Sequence, residues 1–233
     1  MPPSTAEPGA AVRPGGDLAA TATDRLAATA AADLAPAVPS ARALRWLYVI
    51  GGGVGFAAAF VLLVEKIAMI DDPSYVPSCS FNPVLACGSI MSTPQSELFG
   101  FPNPILGVAG FAVVVTIGAA LVAGAEFRTW FWVGLAAGAS AGAVLVHWLI
   151  FQSLYRIGAL CPYCMVVWTV TIPIFLYTVL HVAELTSGRL PAPVAAAARV
   201  VGEFHGVALT VWFLAVTGLI GVRFWDYWST LLP

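Results

Sequence analysis

Charge is what this chain has least of. Only 9% of its 233 residues are Asp, Glu, Lys or Arg, against about a quarter in a soluble domain. So few charges cannot cover a water-facing surface. With 60% apolar residues and a mean hydropathy of +0.89, the sequence describes an integral membrane protein. A basic excess is missing too. The formal net charge is −2, which excludes the electrostatic footprint of a nucleic-acid binder. No span carries the paired intramembrane charges that mark a transporter pathway, and no internal repeat is evident.

Residues 1–43 are rich in Ala, Pro, Ser and Thr with scattered Asp and Arg, the composition of a disordered tail. Trp46 to Val64 then runs nineteen residues without a charge. At about 1.5 Å per residue it covers roughly 29 Å, enough for a bilayer core. Gly51, Gly52, Gly53 and Gly55 within it point to close helix–helix contact. Further spans are expected at 105–125, 130–150 and 162–180, and a shorter fifth at 207–222. Arg223, Trp225, Tyr227 and Trp228 follow the fifth as an interfacial anchor. Residues 184–206 form a linker, and 207–233 hold the fifth helix and a short tail. The expected fold is therefore all-α and membrane-embedded: a four-helix bundle (44–183) plus one helix.

Residues 65–104 lie between the first two spans. A loop this long within a compact protein is usually functional. Val84, Leu85, Ile90, Met91, Leu98, Phe99 and Phe101 recur along it, so it is expected to lie over the bundle as a lid with a short helix. Lys66, Asp71 and Asp72 are read as solvated loop charges. Ser92 and Ser96 are read as helix starters. His147, inside the third span, is read as a hydrogen-bonded packing residue.

Orientation follows from Lys and Arg. With the N-terminus inside, inner segments hold seven (Arg13, Arg25, Arg42, Arg45, Arg128, Arg189, Arg199) and outer segments three (Lys66, Arg156, Arg223). That puts the lid and the start of the fourth span on the outer side of the cell membrane, where oxidised cysteines persist.

The four cysteines form two close pairs, Cys79 with Cys87 and Cys161 with Cys164. They can staple the protein, bind a metal or relay electrons. Two extracellular disulfides are most often structural. Against that stands the run Cys161-Pro162-Tyr163-Cys164 at the head of a membrane helix. Unpaired N–H groups and the macrodipole there favour a thiolate. Pro162 fits a first turn, and three-residue spacing lets both sulfurs share one helix face. The loop it closes is too short to be a useful staple. Zinc held by four thiolates has no evident purpose at a lipid boundary, and no metal is expected. A pair set against lipid suits a lipid-soluble electron carrier.

The order of these motifs resembles the vitamin K epoxide reductase family in its bacterial form. The matching residues are Cys79 and Cys87 with Gly88 and Ser89, then Phe99-Gly100-Phe101-Pro102-Asn103 and Gly107, then Cys161-Pro162-Tyr163-Cys164. The likeness covers residues 44–181. In the other bacterial quinone-linked thiol oxidase family, the DsbB type, the Cys-x-x-Cys precedes the other pair.

The resemblance implies a membrane thiol:quinone oxidoreductase with catalytic Cys79, Cys87, Cys161 and Cys164. A reduced thioredoxin-fold (DsbA-like) protein would attack Cys87, freed Cys79 would attack Cys161, and Cys164 would pass electrons to a quinone. Family members often carry that thioredoxin-like domain after the fifth span. Here the sequence ends at Pro233, so a separate partner is expected. By family position Asn103 would bond a quinone carbonyl, with a helix cap as its alternative. Trp168 stands where members that reduce the epoxide carry tyrosine. Phe111 would line the ring slot, and Ser89 would polarise the pocket or cap the lid helix. Lipid contact or helix packing is the plain alternative for Phe111 and Trp168. The Ala-, Gly- and Pro-rich composition suits a high-GC actinobacterium, with menaquinone as the acceptor. The rival functions are an epoxide reductase proper and a non-catalytic membrane protein with structural disulfides.

Overall fold

The computed structural model describes residues 41–230. The expected tail falls outside the described residues except for 41–43, which are helical. Helix α1 is Ala41–Asp71. The lid carries a short helix α2, Cys87–Met91, and a 3-10 turn, Pro94–Glu97. Then come α3, Pro104–Val122, and α4, Thr129–Phe151, which continues as a π-helical stretch, Gln152–Ile157. Helix α5 is Pro162–Leu185, α6 Ala192–Glu203, α7 His205–Arg223 and α8 Trp225–Ser229. Five of these helices (α1, α3, α4 with its π-helical end, α5 and α7) are long and apolar enough to cross a membrane. The protein is an all-α multi-pass membrane protein.

Helix α1 runs well past the expected end at Val64. Glu65 and Lys66 are good helix formers, and both are buried against the lid. Lys66 is thus not a solvated loop charge, whereas Asp71 and Asp72 are exposed. Ser92 ends α2 as its C-cap, and Ser96 sits inside the 3-10 turn, so neither starts a helix. Within the lid Val84, Ile90 and Met91 are buried, while Leu98, Phe99 and Phe101 are exposed.

Helix α1 packs on α3 and α5, and α5 packs on α4. Small residues set the α1–α3 distance. A Cβ at Gly52 would meet Val115 and Val114 at 3.0–3.1 Å, and one at Gly55 would run into the ring of Phe111. Gly53 faces open space, so it does not share this role. Deeper in the bundle the Tyr48 hydroxyl meets Thr178 Oγ1 at 2.6 Å, which satisfies two polar groups that lipid could not.

Helix α7 buries no residue of its own; Leu209, Val216 and Ile220 pack it on the bundle, and hydrogen bonds fix it near its middle and its end. Trp212 Nε1 donates to His147 Nε2 at 2.9 Å, and His147 Nδ1 donates to Ala143 O at 2.7 Å. His147 therefore is a hydrogen-bonded packing residue, although it faces α7 rather than the bundle interior. At the other end Arg223 Nε donates to Leu154 O at 2.7 Å, and Phe224 is buried in a cluster with Leu154, Leu160 and Trp168.

Candidate active site

Two chain segments far apart in sequence meet where the lid crosses the bundle. Leu85 and Leu160 form an isolated parallel bridge. Ala86 N donates to Leu160 O at 2.9 Å, and Leu160 N donates to Val84 O at 2.7 Å. Each bridged residue lies one or two positions before a cysteine. Asn82 Oδ1 supports the bend by accepting from the N–H groups of Val84 and Leu85 at 3.0 and 2.7 Å. The bridge brings Cys87, first residue of α2, beside Cys161, N-cap of α5.

Cys79 and Cys87 form a disulfide, and Cys161 and Cys164 are free thiols. The Cys87 and Cys161 sulfurs lie 3.1 Å apart. Cys87 carries no proton in its disulfide, so this is the Cys161 thiol set against a disulfide sulfur, at near-attack distance. The sulfurs of Cys79, Cys87 and Cys161 all fall within 4.8 Å of one another. Two are bonded to each other, leaving one of the three as a thiol, short of a four-ligand structural zinc site. The family resemblance gave internal exchange to Cys79; the geometry gives the contact to Cys87. The bridge at Leu85, two residues before Cys87, is the reason.

Cys161 Sγ also accepts from Cys164 N at 3.4 Å, filling the N-cap role at a helix start. The hydrogen bond from the Cys164 thiol lowers the Cys161 pKa; burial opposes it, and the backbone N–H groups of Cys164 and Tyr163 add to the lowering. A lowered value means that thiolate persists to lower pH than in a free thiol. The thiolate ultraviolet absorbance of Cys161, taken as wild type minus Cys161→Ser, should titrate with a midpoint below 9.0. Cys164→Ala should move that midpoint upward. A midpoint unmoved by Cys164→Ala would contradict the hydrogen bond.

Behind the dithiol lies a cavity of about 920 Å³, lined by Cys164, Trp168, Phe111, Leu62, Met91, Asn103, Leu135, Val146 and their neighbours. Its size falls in the range of ligand pockets, roughly 300–1,000 Å³. Cys164 and Trp168, one turn apart, both face it. Asn103 reaches it at the head of α3, but its side chain makes no cap. Its Nδ2 donates to Gln95 O at 2.8 Å, and its Oδ1 accepts from Leu98 N at 3.0 Å, closing the last turn of the lid. Ser89 is exposed and is not among the residues lining the cavity. Its carbonyl accepts from Ser92 Oγ. In α2 the inward positions are Cys87, Ile90 and Met91, spaced i, i+3, i+4, which turns Ser89 away.

The lid is fastened by Glu65, which the sequence does not single out, and by Lys66, which it reads as a solvated charge. Glu65 accepts from the hydroxyl and the backbone N–H of Ser78, the residue before Cys79. Lys66 Nζ donates to Met91 O at 2.6 Å and pairs with Glu97 Oε1 at 2.9 Å. Adjacent charges on α1 therefore hold the lid on either side of its disulfide. One signal was present: Ala59, Leu62 and Lys66 share a helix face, so the apolar face of α1 ends in an ammonium.

A lid disulfide against a helix-capping thiol, with the second thiol open to an apolar cavity, defines a membrane-embedded thiol–disulfide redox protein. Comparison narrows the class: residues 46–179 match the model of the vitamin K epoxide reductase family, and the chain belongs to that family. Membership makes it a membrane oxidoreductase of the kind that links disulfides with quinones. A comparison with curated proteins found no match.

Proposed function

We propose that this protein oxidises the thiols of a thioredoxin-fold (DsbA-like) partner and delivers the electrons to a membrane quinone, supporting disulfide formation in exported proteins. The observation that carries this reading is the Cys87–Cys161 contact at 3.1 Å, with Cys164 on the cavity wall. The catalytic unit is residues 44–183. The Arg bias supports an N-terminus in the cytoplasm and a cysteine end outside the cell membrane.

In this reading a partner thiolate attacks Cys79, breaking the Cys79–Cys87 bond and freeing Cys87 as thiolate. Cys87 attacks Cys161 of an oxidised Cys161–Cys164 pair, and Cys164 leaves as thiolate beside the cavity. Resolution of the partner bond frees Cys79, which attacks Cys87 and releases Cys161. The Cys161–Cys164 bond then re-forms as two electrons leave for the quinone. A lowered thiol pKa makes Cys161 a good leaving group when Cys79 attacks Cys87. The apolar cavity fits a quinone ring and tail, with Phe111 and Trp168 along it and Asn103 at its mouth. Menaquinone is the acceptor that the composition favours. Cys79 and Cys87 are 1% and 0% exposed, so the partner reaches Cys79 only when the lid lifts. A protein–quinone relay of this kind is how a bacterial periplasm is kept oxidising.

Purified protein with a reduced thioredoxin-fold donor should reduce menaquinone and leave vitamin K epoxide unreduced. Equal turnover of the epoxide would support an epoxide reductase proper. Failure to reduce either acceptor would sink the proposal.

A further inference from the structure

The chain has a single lysine, Lys66, and the structure buries it. It is 8% exposed, at the lid end of α1, and it is the one formally charged residue among the described residues that line the cavity. A buried charge within a membrane span is costly and calls for a function. An ammonium has three donors. One goes to Met91 O at 2.6 Å and one to Glu97 at 2.9 Å. The third has only a long contact, 3.5 Å, to Ser96 Oγ, whose single hydroxyl proton is shared between Met91 O and Thr93 O. Met91 packs in the same cluster as Cys164, so the ammonium and the electron-donating thiol serve the same end of the cavity.

Resting on the quinone-reductase reading, we propose that Lys66 is the acid that protonates the reduced quinone, with Glu97 as its link to water. The balance requires such a group. A quinone becomes a quinol by taking two electrons and two protons. The electrons come from Cys161 and Cys164 as their disulfide forms. Thiol exchange generates those sulfurs as thiolates, so protons must reach the apolar cavity by another route. Lys66 Nζ gives a proton to a quinone oxygen and becomes a neutral amine. Glu97, whose side chain is 41% exposed, takes a proton from water and returns it to the amine. The other titratable groups facing this point are Cys164 from α5 and the neighbouring Glu65, whose carboxylate turns to Ser78.

Three variants test this, Lys66→Met, Lys66→Arg and Glu97→Gln, each assayed with menaquinone and a reduced donor across pH. General acid catalysis contributes about 10²–10⁴-fold. Lys66→Met should lose that order of rate at neutral pH and recover part of it as pH falls. Lys66→Arg keeps a fixed charge and the lid bonds but does not give up its proton, so it should be nearly as slow as Lys66→Met. Glu97→Gln should slow turnover in the same direction. A readout apart from turnover is the Cys87–Cys161 disulfide in a Cys79→Ser, Cys164→Ser background. It should form as readily with Lys66→Arg as without it. Wild-type rates in Lys66→Arg would overturn the proton-transfer role, as would loss of that disulfide, which would make Lys66 a lid fastening only. Wild-type protein that reduces no quinone would instead overturn the parent reading, and this inference with it.

Discussion

Cys164→Ser should abolish quinone-dependent oxidation of donor thiols while the protein still folds. Cys164 is the one cysteine of the four that lines the cavity, so in the relay it is the exit for electrons. A hydroxyl cannot form the Cys161–Cys164 bond, and no other thiol on the cavity wall replaces it. Loss of a nucleophile on this scale costs about 10³-fold or more, so turnover should fall to background. The change is one atom, and the Cys164 N–H still caps Cys161. The Cys79–Cys87 bond and the thermal unfolding midpoint should therefore hold. Quinone absorbance and a melting curve on the same preparation check both parts. Wild-type oxidation by this variant would remove the relay and favour two structural pairs.

The second large effect concerns which disulfide forms. With Cys79 and Cys164 both changed to serine, Cys87 and Cys161 remain as the only thiols. Their sulfurs already stand 3.1 Å apart, and the Leu85–Leu160 bridge holds the flanking backbone in place. Mild oxidation should join them almost completely. With Cys87 and Cys164 changed instead, Cys79 and Cys161 remain within 4.8 Å, but Cys79 stands six residues from the bridged Leu85, against two for Cys87. That bond should form more slowly and to a smaller extent, because the lid must shift to bring the sulfurs together.

Much of this arrangement was legible in the sequence, and the failures have physical causes. Charge-free runs gave the membrane helices because lipid excludes unpaired charge. The same rule ended α1 too early, since Glu65 and Lys66 are charged and yet find partners on the lid. Cys161-Pro162-Tyr163-Cys164 was readable as a helix start because capping chemistry is local. Which lid cysteine faces Cys161 was not readable, because it depends on a backbone bridge between segments 75 positions apart. Ser89 was misplaced for a simpler reason. It is two residues from Cys87 in sequence, but on a helix that spacing points it to the opposite side. The periodicity of Cys87, Ile90 and Met91 already said so.

The most direct test of the relay is mass spectrometry of the non-reduced protein in the two double-serine backgrounds, followed over time after mild oxidation. The account predicts a Cys87–Cys161 peptide that forms fast and to near completion, with the Cys79–Cys161 peptide lagging well behind. Equal formation of both, or preference for Cys79–Cys161, would contradict it.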